Sequence, residues 1–437
     1  MLETIRNAWK IADLRSKILY TLMILMVYRI GSAIPVPFLD ASVLQTMMSQ
    51  AGGGLLGYVD ILTGGAFANA TLFAMGISPY ITSSIVVQLL AVAIPYLEQL
   101  SKEGEAGRKK MNLITRWVTL GLALIQSFAY YMLNRRPTNT GAVAVKYLDG
   151  FPGVFSALVI ILTFTAGSMM VVWLGEQIDH KGIGNGISII LFAGIISRGP
   201  SIVLKMAAYI GLANEGQTQY YVLVPLIVVM FVVMIGLIIL MTTAERRIPV
   251  QYAKRVVGRK FYGGQSSHIP VKVTMSGVMP IIFASALLSI PGLIQGFVDP
   301  YNERWIGKVL SLFNYNTIWY ALLYLLLIIA FNYFYVSIQY NPIEMANNLR
   351  KNNGAIPGIR PGRPTSDFIA RVISKITLVG ALFIAGVAIL PIILGNVFKI
   401  NIALGGTSII IVVGVALDTV RTLESQMMMR HYKGFLE

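Results

Sequence analysis

Long apolar blocks alternate with short polar connections along almost the whole chain. They run over residues 18–36, 71–95, 113–133, 154–174, 183–197, 221–242, 272–296, 318–338, 372–396 and 403–420. A helix rises about 1.5 Å per residue, so roughly 20 apolar residues cross about 30 Å of hydrocarbon. The pattern therefore predicts ten membrane-spanning helices, spans 1 to 10 in chain order. A further apolar stretch, GGGLLGYVDILTGGAFAN at 52–69, is short and bracketed by glycine. It predicts a re-entrant or partial helix.

Composition agrees with that pattern and removes several chemistries. Of 437 residues 56% are hydrophobic and 12% charged, where a soluble domain carries about 25% charged residues. The chain has no cysteine, which excludes disulfides, thiolate metal sites, iron–sulfur clusters and cysteine nucleophiles. His180, His268 and His431 lie in separate segments, so no histidine metal site is expected. No G-x-x-x-x-G-K-[ST] occurs, so the chain carries no P-loop of its own. Residues 18–36 are too long an apolar run for a signal peptide and lack a cleavage pattern behind them. No cofactor is expected.

The net charge of +16 takes its meaning from its distribution. Basic residues collect on the cytoplasmic side of a membrane protein. Of the 35 Lys and Arg, 26 fall in one alternating set of connections, 8 in the other, and Arg29 lies inside span 1. Both termini and two long loops, 243–272 and 340–375, are thereby assigned to the cytoplasmic side.

An internal repeat supplies the architecture. Gly76, Pro79, Ile81 and Ser84 of span 2 match Gly277, Pro280, Ile282 and Ser285 of span 7 at an offset of 201. Gly186-Ile187-Ser188-Ile189-Ile190 of span 5 matches Gly406-Thr407-Ser408-Ile409-Ile410 of span 10 at an offset of 220, and the match continues to Gly194 and Gly414. Five spans per half is odd, so the second half must sit upside down relative to the first. Inverted repeats of this kind carry their working path at the interface of the halves, along the Gly/Pro-interrupted helices. Spans 2, 5, 7 and 10 are the expected lining.

That lining is aliphatic. Ionisable residues within the spans are almost absent; Arg29 and Asp418 each stand near an interface, where pairing or snorkelling accounts for them. An ion-coupled transporter would want carboxylates at the midplane. An intramembrane enzyme would want a base beside a Ser or Asp, and no span holds a His. Ile77 and Ile81 share one face of span 2, Ile187 and Leu191 one face of span 5, and Ile282 and Ile411 occupy the matching zones of spans 7 and 10. Such pairs commonly serve plain packing. Set beside helix-breaking glycine and proline, they also suit a dewetting constriction that blocks ions yet yields to something larger.

Ordered motifs add a family. WLGEQI at 173–178, GIGNGIS at 182–188, YAKR at 252–255, PGIRPG at 357–362 and GGTS at 405–408 resemble the SecY family, the channel-forming subunits of the Sec protein translocon. The likeness runs from KEGEAGRKK at 102–110 through the last span. It implies an all-α polytopic membrane protein of ten transmembrane helices in two inverted five-helix halves, 1–220 and 221–437, closed as a clamshell around a central pore. It implies passage of unfolded, signal-bearing chains and lateral release of hydrophobic segments into lipid between spans 2 and 7. The pore ring would be Ile77, Ile81, Ile187, Leu191, Ile282 and Ile411. A plug would lie near 52–69, with Leu55, Leu56, Tyr58, Val59, Ile61 and Leu62.

The same resemblance implies a lateral gate involving Thr82, Gln88, Asn185 and Ile290. Polar groups there read as interhelical hydrogen bonds worth about 0.6–2 kcal/mol each, with fixed packing as the alternative. Implied partners are the SecE and SecG subunits, the SecA ATPase, the ribosome, preprotein signal sequences and nascent membrane proteins, and the lipid bilayer, in the inner membrane of a bacterium. Lys254, Arg259 and Lys260 in the first long loop and Arg360 in the second are the expected docking residues for motor or ribosome. The second loop, NNGAIPGIRPGRP from Asn352, is punctuated by proline and glycine and predicts a rigid turn.

Overall fold

The computed structural model describes residues 2–50, 60–135, 137, 143–215, 218–252, 255–257, 260–262, 266–295, 313, 317–398 and 406–433. Every expected span contains a helix. In chain order they are α1 (Leu2–Lys10), α2 (Ala12–Gly31), α3 (Ala41–Gln50), α4 (Ser78–Ala93), α5 (Pro95–Lys102), α6 (Glu105–Arg135) and α7 (Gly150–Lys181). There follow α8 (Gly186–Ser197), α9 (Gly199–Asn214), α10 (Gln219–Thr243), α11 (Met279–Gln295), α12 (Ile318–Gln339), α13 (Pro342–Lys351), α14 (Arg363–Phe398) and α15 (Gly406–Lys433). Spans 1 to 10 are α2, α4, α6, α7, α8, α10, α11, α12, α14 and α15, and α9 prolongs span 5. Among the described residues seven helical segments are each long and apolar enough to cross hydrocarbon, and α4 with α5 makes an eighth across a bend of 107°. The bend is set by Pro95, which bars the residue before it from helical geometry. Ile94 accordingly sits at φ −107°, ψ 114°.

Burial separates the helices that face lipid from those at the centre. In α10 28% of the apolar window is buried, against 56% in α14 and in α15. A helix apolar on all sides fits a lipid-facing position, and Val222 and Val232 on α10 stay 74% and 65% exposed. The central apolar cluster draws residues from α2, α4, α7, α8, α10, α11, α12, α14 and α15.

Span 2 is shorter as a helix than its apolar run of 71–95. Thr71 bridges Pro35, residues 72–77 form turns, and the helix begins at Ser78 with Pro79 in its first turn. Gly76 ahead of it holds φ +52°, and Gly277 ahead of α11 holds φ +61°. Left-handed geometry of this kind is the reason for glycine at both positions. The repeat reappears in close approaches. A Cβ on Gly167 of α7 would lie 2.0 Å from the Leu72 carbonyl oxygen, and one on Gly380 of α14 would lie 2.4 Å from that of Val273. Val273 stands 201 positions after Leu72, the offset that relates spans 2 and 7. A Cβ on Gly186 would meet the Gly175 carbonyl at 2.0 Å, and one on Gly406 the Val387 carbonyl at 2.0 Å. Equivalent glycines admit equivalent backbones in the two halves.

The two long basic loops form one packed unit. The first is a hairpin, β1 (Glu245–Tyr252) antiparallel to β4 (Ser266–Lys272) with Ile248 opposite Ile269, and β2 (Arg255–Val257) pairs with β3 (Lys260–Tyr262) beyond it. The second contributes β5 (Gly354–Ala355) to the free edge of β1. Ile248, Val250 and Val271 bury against Leu349, Ile356, Ile369 and Ile373. The expected rigid turn is present, with positive φ at Asn353, Gly358 and Gly362. The part of that loop before Asn352 is helical, because the Asn341 side chain accepts the Ile343 and Glu344 amides and caps α13.

Candidate functional site

All six residues of the expected ring belong to the central cluster. Ile77, Ile81, Leu191, Ile282 and Ile411 are buried, and Ile187 is half-buried against the same cluster. Ile77 immediately precedes α4, and Ile81 lies one turn in. Leu191 and Ile411 are repeat equivalents on α8 and α15, as Ile81 and Ile282 are on α4 and α11. Two elements from each half thus present aliphatic side chains to one region.

Cavities lie on both sides of that region. On the hairpin side a space of about 330 Å³ is lined by Asn185, Ser188, Leu191, Thr274, Ile282, Ile411 and Asp418, among others. Beside it a polar recess of about 420 Å³ runs past Asp179, Ser188, Asp418 and Thr422. On the opposite side a space of about 30 Å³ is lined by Leu62, Thr63, Ile77, Ile81, Ile190, Leu191 and Ile282. Leu191 and Ile282 touch both spaces. Leu191 and Ile282 therefore stand between a wide chamber of mixed polar and apolar lining and a space about the size of one water.

The chemistry changes abruptly at the wall. Within the ring there is no hydrogen-bonding side chain to hold a permeant solute. Hydroxyls and amides flank it, Ser188 and Asn185 on one side and Thr63, Ser78, Ser285 and Tyr28 on the other. Among the described residues no group of His, Asp and Glu has the arrangement of a metal site.

Asp60 to Leu62 form a helical turn that continues through turns to Ala70. Ile61 is buried, and Leu62 faces the small cavity. Leu55, Leu56, Tyr58 and Val59, the other expected plug residues, lie outside the described residues. So do Lys254 and Arg259. Lys260 lies in β3, and its side chain is likewise outside what the structure describes. Arg360 is exposed in the turn before α14, where its carbonyl accepts the Thr365 hydroxyl at 2.9 Å.

The expected interhelical hydrogen bonds are not what the structure shows for the polar gate residues. Thr82 donates to the Ser78 carbonyl at 3.0 Å, and Gln88 to the Ser84 hydroxyl at 3.2 Å, both within α4. Asn185 accepts the Ser188 amide and caps α8. The physical reason is proximity: a carbonyl one turn back is always within reach of a hydroxyl in a helix. Ile290 is 39% exposed on α11, and α4 and α11 pack against each other.

The sequence reading missed a polar anchor beside the ring. Asp60 pairs with Arg198, and Arg29 donates to Ser197 Oγ at 3.0 Å and to the Gly64 carbonyl at 3.4 Å. Arg29 stood out as a charge inside a span. Asp60 was hidden in a glycine-rich apolar stretch, and its partner lies far along the chain.

A family model described as SecY matches residues 71–420. The chain is 42% identical over its full length to a protein translocase subunit SecY of Streptomyces coelicolor, covering 100% of that protein. It is 42% identical to one of Thermotoga maritima, covering 98% of it. A solved protein-conducting channel superposes with a TM-score of 0.66 at 19% identity, over 94% of this chain and 92% of that one. The Sec61 channel of a canine ribosome–channel complex superposes with a TM-score of 0.61 at 18% identity, over 94% and 92%. At such identities the solved structures speak for the fold, a ten-helix clamshell in two inverted halves.

Proposed function

The chain belongs to the SecY family, and from that membership we propose how it works. It is a multi-pass membrane protein, a protein-conducting channel subunit and not an enzyme. Unfolded, signal-bearing chains pass from the 330 Å³ chamber through the ring of Ile77, Ile81, Ile187, Leu191, Ile282 and Ile411. The observation that carries this reading is the wall itself: Leu191 and Ile282 line the spaces on both of its sides. An aliphatic neck between wider spaces dewets, which stops ions, and flexible side chains part around a peptide. The segment 52–69 acts as a plug on the far side, a reading supported by Leu62 at the neck.

Hydrophobic segments leave sideways between α4 and α11, at the seam of the halves 1–220 and 221–437. Because Thr82 and Gln88 bond locally, opening that seam does not strip these two groups of their partners. The hairpin side faces the cytoplasm with both termini, in the inner membrane of a bacterium, as 26 of 35 basic residues on that side support. Channels of this family work with SecE, SecG, SecA and the ribosome. The channel is passive, and the SecA ATPase or the ribosome supplies the drive. Arg360, exposed beside the hairpin, and the basic residues Lys254, Arg259 and Lys260 offer charge to acidic groups of SecA or to ribosomal RNA phosphates.

The test is Ile282→Asn in the assembled complex in proteoliposomes. Ion leak should rise, and export of substrates with defective signal sequences should improve. Unchanged permeability and unchanged export would remove Ile282 from the constriction.

A further inference from the structure

The anchor beside the ring is built more fully than packing requires. One Asp60 oxygen accepts the Ala68 amide at 2.8 Å, and the other pairs with Arg198 Nη2. The Asp60 carbonyl also accepts the Gly65 amide at 2.8 Å, which closes the turn. Arg29 holds the Gly64 carbonyl, and Tyr28 donates to the Thr63 carbonyl at 3.4 Å. Residues 60–70 are thus fastened to α2 and to the junction of α8 and α9. Gly194 allows the closest approach, since a Cβ there would lie 2.5 Å from the Leu62 carbonyl. Asp60 is 7% exposed. Burying a carboxylate is costly, and losing one partner of such a pair strands the other. A charge kept at that cost beside an apolar neck has a positional task.

We propose that Asp60 and Arg198 are positioning residues of the constriction: their ion pair fixes the turn 60–70 so that Leu62 closes the neck from the side opposite the hairpin. The proposal rests on the neck reading above. Neither residue lines the neck, while Leu62 does. The turn is held at its backbone by Arg29 and Tyr28 and at its side chain by Arg198. Loss of the pair therefore leaves the segment attached but free to shift Leu62 off the wall. The effect is on closure, not on the path of the translocating chain.

The experiment measures ion leak through the full complex in proteoliposomes for Asp60→Asn, Arg198→Gln, their double variant, Leu62→Ala and Ile282→Asn. Asp60→Asn keeps an oxygen for the Ala68 amide and removes the charge. Each latch single should raise the leak about tenfold, the equivalent of ~1.4 kcal/mol on closure. The double should leak no more than the worse single, because both remove one interaction. Leu62→Ala, which keeps every anchoring group, should leak as the latch variants do and stands in for them if either fails to assemble. A leak in Ile282→Asn with none in Asp60→Asn or Leu62→Ala would overturn the positioning role and leave the neck intact. No leak in any variant would overturn the neck itself. Additive leaks in the double variant would overturn the pairing.

Discussion

Gly167→Ala tests the repeat and the packing that sets the ring. A Cβ at 167 would stand 2.0 Å from the Leu72 carbonyl oxygen, and ordinary contact begins at 3.4 Å. The carbonyl must therefore retreat by about 1.4 Å. It belongs to backbone, and Leu72 is tied through its amide to the Ile34 carbonyl at 2.9 Å, so a side-chain turn cannot relieve the clash. Overpacking of a filled core costs about 1–3 kcal/mol, and a rigid backbone obstacle belongs near the upper end. Gly380→Ala in the second half needs a smaller retreat, from 2.4 Å, and should cost less. Gly121 and Gly236 have nothing within 4 Å. Alanine there should be neutral or stabilising by up to about 1 kcal/mol, the propensity difference in a helix. The assay is thermal unfolding of the purified complex at one scan rate, with the four variants side by side. Midpoints should fall in the order 167 below 380 below wild type, with 121 and 236 at or above it. A Gly167→Ala midpoint equal to that of Gly236→Ala would refute it.

Three further outcomes follow from the same geometry. Arg360→Glu should impair motor-driven export while leaving accumulation of the protein intact, read by ATP-dependent transport against membrane content; normal export would remove the docking role. Gln88→Leu and Thr82→Val should change gate opening by less than about 0.5 kcal/mol, because their hydrogen bonds run within α4; a shift of about 2 kcal/mol in cross-linking across the α4–α11 seam would show that they bond across it. Asn341→Ala should cost about 1 kcal/mol of α13 stability through loss of its cap, detected as faster amide exchange in α13 and in the adjoining β5.

Spans were legible because a 20-residue apolar block has few alternatives in lipid, where backbone groups must bond within the segment. That these aliphatic residues share one cluster was legible for a different reason. Ile81 with Ile282, and Leu191 with Ile411, are related by the repeat, and duplicated backbone brings equivalent positions to the same region. The hairpin was not legible, because Arg246, Arg247 and His268 made β1 and β4 read as charged loop. The alternation that buries Ile248 and Val250 is only a few residues long. The gate hydrogen bonds were misread because a polar residue in an apolar helix suggests a partner on a neighbour, when the preceding turn already offers one. The Asp60–Arg198 pair was out of reach. Each charge read singly was a topology count or part of an apolar stretch, and only folding brings them together.

Central to the account is that a translocating chain passes the aliphatic wall. The chain has no cysteine, so a single cysteine at position 282 is a clean reporter. It should form a disulfide with a cysteine in a stalled translocating chain, while one at Val232, on the lipid-facing side of α10, should not. Adduct at position 232 with none at 282 would contradict the account.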